Sequence, residues 1–87
     1  MRNHNDKYQS YKTALSRLLK QNNLDMMSKD TEVINRIFNL LTENSQVGKI
    51  KGIISTTEIV KYGGDIEDDK AEEIFIKIIN WWQYNGL

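Results

Sequence analysis

The pattern of apolar positions divides the chain into four segments that read as helices when each residue is advanced by about 100°. Over residues 5–22, Tyr8, Tyr11, Ala14, Leu15, Leu18 and Leu19 fall on one side. Lys12, Thr13, Ser16, Arg17 and Lys20 fall on the other, as in an amphipathic helix. Asn22-Asn23 predicts its end, because either Asn tolerates the left-handed conformation of a C-terminal cap. Over residues 29–44, Val33, Ile34, Ile37, Phe38, Leu40 and Leu41 share an arc of roughly 160°. Ser28 or Asp30 is suited to cap that helix at its N-terminus.

The third segment, residues 49–62, is more ambiguous. A helix there gathers Ile50, Ile53, Ile54, Thr57 and Val60 on one face, but Gly52 weakens it by about 1 kcal/mol relative to Ala. Ser55-Thr56-Thr57-Glu58 has the capping-box spacing, so a shorter helix beginning there after an extended stretch is the alternative. The single helix is favoured, with Gly63-Gly64 stopping it. The fourth segment, residues 67–84, opens with acids that complement the positive end of a helix dipole. Ala71, Ile74, Phe75, Ile78, Ile79, Trp81 and Trp82 cover roughly 160° of it, and Ile76 lies outside among polar residues. The expected fold is all-α: a small antiparallel bundle of three to four helices in one domain spanning residues 1–87, with residues 1–6 a polar tail.

With 87 residues the chain buries a smaller fraction of its surface than a typical domain and has reason to share apolar area with a partner. Trp81 and Trp82 point about 100° apart and cannot both centre one intramolecular contact. One side is expected on its own core and the other on a partner, since Trp and Tyr are enriched at interface hot spots. The expected self-association face is Ile74, Phe75, Ile78, Ile79, Trp81 and Trp82, in a two-fold homodimer. The competing reading puts both tryptophans over the monomer core.

Twelve basic residues balance twelve acidic ones. That neutrality argues against a dedicated nucleic-acid binder, whose affinity comes from neutralising phosphates. The charges are nonetheless segregated. Lys12, Arg17 and Lys20 form a candidate basic partner face, and Asp65, Glu67, Asp68, Asp69 and Glu72 a candidate acidic one. Both also fit plain solvated helix surface. The segment 56–64 resembles the first helix of a helix-turn-helix, but the next helix begins Glu67-Asp68-Asp69, which phosphates repel.

Catalytic and metal chemistry finds little to build on. The one histidine, His4, lies in the polar tail, and there is no cysteine. A catalytic triad needs a positioned histidine, and a structural zinc site needs about four Cys or His ligands. Asp65, Glu67 and Asp69 alternate as in a calcium loop, but the central Gly is missing. Gly63-Gly64 lacks phosphate-loop spacing. The expectation is a protein with no catalytic, cofactor or metal site, no small-molecule substrate and no membrane span. A cytoplasmic location is expected from the absence of cysteine and of an apolar leader.

Ala14-Leu15-Ser16-Arg17-Leu18-Leu19 followed by Asn23-Leu24 resembles the N-terminal signature of the YmgB/AriR and YcgZ family of small enterobacterial regulators of biofilm formation and acid resistance. The likeness continues through an amphipathic helix at residues 32–41, Ile53-Ile54 and Glu58 in the third, and an aliphatic and aromatic last helix at residues 71–82. Gly52, Trp81-Trp82 and a longer linker at residues 25–29 depart from the pattern. The resemblance implies a non-catalytic homodimer that modulates stress-response gene expression by binding a response regulator or transcription factor. Two alternatives stand beside it. One is a phage- or plasmid-type inhibitor or bacteriocin immunity protein that captures an effector. The other is direct, non-specific DNA binding through the basic first helix.

Overall fold

The computed structural model describes residues 5–85, with side chains from residue 8 onward. His4 and most of the polar tail lie outside the described residues. The order is α1 (Asn5–Gln21), α2 (Asp25–Ser28), α3 (Thr31–Glu43), α4 (Lys49–Thr56), a π-helical turn (Thr57–Lys61) continuing α4, and α5 (Asp68–Asn85). Among the described residues there is no strand, so the chain is all-α.

Each boundary has a local cause. Asn23, at φ 69°, ends α1, and the Leu24 N–H returns to the Leu19 carbonyl at 3.0 Å. Asp30 is the N-cap of α3, its carboxylate accepting from the Val33 N–H at 3.2 Å. Ser28 instead gives its hydroxyl proton to the Asp25 carbonyl at 2.6 Å. Asn44 closes α3 in the left-handed region at φ 51°.

The linker expected at residues 25–29 contains a single helical turn, α2. Met27 points into the core and Met26 out, 58% exposed. A helix of four residues shows no periodicity, so one buried methionine rather than a sequence pattern holds it.

Residues 49–61 are continuously helical, in keeping with the favoured single helix. The last turn widens: the Tyr62 N–H reaches the Thr57 carbonyl, five residues back, at 3.1 Å. That widening corrects one expectation. Ile50, Ile54 and Thr57 are buried, but Val60, assigned to the same face, is 76% exposed. Each residue of a π turn advances by less than the α-helical angle, so Val60 rotates off the face. Gly63, at φ 66°, then reverses the chain.

One apolar cluster draws on all the helices: Leu15 and Leu19 of α1, Met27 of α2, Val33, Ile34, Ile37 and Leu41 of α3, Ile50 and Ile54 of α4, and Ile74 and Ile78 of α5. Among the described residues, no helix is long and apolar enough to cross a membrane.

Candidate functional surfaces

Five of the eight aromatic residues, Tyr8, Tyr11, Phe38, Trp81 and Trp82, collect in one aromatic end. Phe38 of α3 lies 5.7 Å from Tyr8, 6.3 Å from Tyr11 and 5.7 Å from Trp82, ring centre to ring centre. Tyr11 meets Trp82 edge-on at 5.5 Å, and Trp81 stands 5.8 Å from Trp82. These separations suit edge-to-face and tilted pairs. The Lys12 ammonium sits 5.5 Å above the Phe38 ring. Phe38 is buried, whereas Tyr11, Trp81 and Trp82 are half-buried and Tyr8 is exposed. The cluster therefore joins the core to the surface.

The six residues proposed for self-association divide between inside and surface. Ile74 and Ile78 are fully buried in their own subunit, leaving no area for a partner. Phe75, Ile79, Trp81 and Trp82 are half-buried against the core. On α5 the exposed large apolar side chains are Tyr84, 88% exposed, and Ile76, 46% exposed. The contribution of Tyr8, Tyr11 and Phe38 to this surface was not visible in the sequence beyond their place on apolar helix faces.

The acidic residues lie along the α4–α5 connection and the first turns of α5. Asp65, Glu67 and Asp69 are exposed. Asp68 and Glu72 are held by Lys51 of α4, at 3.1 and 3.2 Å. These hydrogen bonds push the Lys51 ammonium above its ordinary pKa. Further along α5, Lys77 and Lys70 hold Glu73 at 3.1 and 3.7 Å, and the Lys77 hydrogen bond lowers its pKa. Among the described residues, no three His, Cys, Asp or Glu side chains gather as a metal site.

The basic residues of α1 lie on and beside two adjoining hollows. Lys12 lines a groove between α1 and α3, Arg17 lines a neighbouring shallow hollow, and Lys20 is exposed beyond both.

One polar constellation had no sequence signature beyond the cap. The Asp30 side chain is only 6% exposed and receives the Lys61 ammonium at 2.7 Å, together with the Tyr62 hydroxyl. With the Val33 N–H on its other oxygen, these bonds lower its pKa to about 2, the Lys61 bond contributing most. A carboxylate so fully supplied with donors is held ionised, which is the opposite of what a general acid needs. Its evident work is to tether the end of the π turn to the start of α3.

No family model, curated protein or solved structure matches this chain.

Proposed function

We propose that this chain is a non-enzymatic regulatory protein that acts by binding other proteins, as a two-fold homodimer of small antiparallel bundles. The single observation that carries this reading is the aromatic end. An 87-residue chain that leaves Tyr8, Trp81 and Trp82 of this cluster partly in solvent, and Tyr84 on the next turn of α5 mostly so, presents the residue types that dominate interface hot spots. The partner class, a response regulator or transcription factor controlling stress, biofilm or acid-resistance genes in the cytoplasm, rests on the resemblance to the YmgB/AriR and YcgZ regulators.

Light scattering at tens of micromolar, an estimate in the range where weak homodimers assemble, tests the dimer. The expected mass is twice that of the chain, falling to one chain in Trp81→Ala or Tyr84→Ala. A strictly monomeric wild type overturns the dimer. Affinity capture from a bacterial lysate, with the aromatic-end variants as controls, tests the partner class. Recovery of no transcription regulator overturns it.

The acidic edge supports a second reading. Asp65, Glu67 and Asp69 are exposed within five residues of one another, which suits an inhibitor that captures a basic effector. Loss of capture in Asp65→Asn/Asp69→Asn, with the aromatic variants unaffected, would select it over the first.

A further inference from the structure

A groove of about 430 Å³ lies between α1 and the start of α3. Gln9, Lys12 and Thr13 form part of its α1 wall, and Lys29, Thr31 and Asn35 face them. No acidic residue lines it, although the chain has as many acids as bases. The arrangement at the start of α3 explains why. Asp30 and Glu32 flank Thr31, but both carboxylates are directed to Lys61, at 2.7 and 4.0 Å, and Lys61 is not part of the groove. The adjoining hollow, which shares Gln9 and Thr13 and extends to Arg17, is also free of acids. Among the described residues neither Lys12 nor Lys29 has an ion-pair partner.

We propose that this groove binds a small organic phosphate of nucleotide size. Lys12 and Lys29 supply positive charge from opposite walls, and the Thr13 and Thr31 hydroxyls donate to phosphate oxygens. Ser16, also in the lining, already gives its proton to the Ser28 carbonyl, so its oxygen is left to accept. Asn35 also lines the groove, and its buried Oδ1 has no hydrogen-bond partner. Both oxygens call for a donor. A hydroxyl- or amine-bearing phosphate provides one, whereas a simple anion satisfies only the lysines and threonines. The volume is within the ordinary range for small-molecule sites, about 300–1,000 Å³. Such a ligand would be a bound effector rather than a substrate, and the site adjoins the aromatic end through Lys12, whose ammonium also lies over the Phe38 ring.

The test is a two-dimensional NMR titration of the full chain with AMP, ribose 5-phosphate, adenosine and inorganic phosphate. AMP is expected to move amides of residues 9–17 and 28–35 selectively, with Kd on the order of 1 mM or tighter. Adenosine and inorganic phosphate are each expected to bind about tenfold more weakly. Lys29→Glu should abolish the response and Thr31→Val weaken it about tenfold, with core amides unmoved as proof of folding. Absence of localised shifts at about 10 mM AMP overturns the proposal. So do equal responses to AMP and adenosine, equal responses to AMP and inorganic phosphate, or an unaltered response in Lys29→Glu. A DNA duplex that shifts these amides where AMP does not would overturn it in favour of a nucleic-acid backbone.

Discussion

Asp30 joins three parts of the chain through one side chain. It caps α3 through Val33 and anchors Lys61 and Tyr62 beyond the π turn. Its folded pKa of about 2 lies below the ordinary 3.8, so its contribution to stability is full above the unfolded value and is lost as pH falls through the folded one. Urea unfolding followed from pH 6 to pH 2 should therefore show a fall, concentrated between about pH 4 and pH 2, that is missing in Asp30→Asn. At neutral pH that variant should be less stable than wild type by about 1.5–3 kcal/mol, the range expected for hydrogen bonds to a charged group, since Asn still caps α3. Tyr62→Phe should be destabilised in the same direction but to a smaller extent, because Lys61 and Val33 still occupy the carboxylate. The sequence marks Asp30 as one of two candidate caps. It does not mark Lys61 or Tyr62 as its partners, since they lie 31 and 32 residues away. Propensity and capping act within a turn, whereas that contact exists only once α4 has packed on α3.

At the scale of elements, α4 and the turn that follows it hold two glycines with opposite consequences. A Cβ added at Gly52 or at Gly63 meets nothing within 4 Å, so space does not distinguish them. Backbone conformation does. Gly52 lies within α4, where Ala is favoured by about 0.5–1 kcal/mol, and Gly52→Ala should raise the urea midpoint accordingly. Gly63 stands at φ 66°, where a Cβ costs roughly 1–2 kcal/mol, and Gly63→Ala should lower the unfolding free energy by that amount and the midpoint with it. The π turn between them explains why the helical wheel placed Ile50, Ile54 and Thr57 correctly and Val60 wrongly. A wheel with one fixed angle has no means of registering a five-residue hydrogen bond.

For the whole molecule, burial separates residues that hold the monomer from residues free to meet a partner. Ile78 is fully buried and Tyr84 almost fully exposed on the same helix. Ile78→Ala should cost about 2–5 kcal/mol by chemical denaturation, the usual cost of opening a cavity in a core. Tyr84→Ala should change stability by less than about 0.5 kcal/mol, as surface substitutions do. Under the binding proposal, only Tyr84→Ala would weaken association without unfolding the chain. A Tyr84→Ala variant as destabilised as Ile78→Ala would mean that this side chain serves the fold.

The sequence alone determined the helical class, the four long helices to within two residues at their ends, and the apolar face each one buries apart from Val60. These follow from interactions between residues three or four apart and from caps within one turn, which a linear pattern carries in full. Tertiary structure decided the rest. It formed α2 around Met27, widened the end of α4, and turned the carboxylates of Asp30 and Glu32 to Lys61, leaving an acid-free groove beside α1. It also gathered Tyr8, Tyr11, Phe38, Trp81 and Trp82 from three helices into one aromatic end. Each of these depends on which helices become neighbours, a choice made by packing the whole core at once and written in no single stretch of the chain.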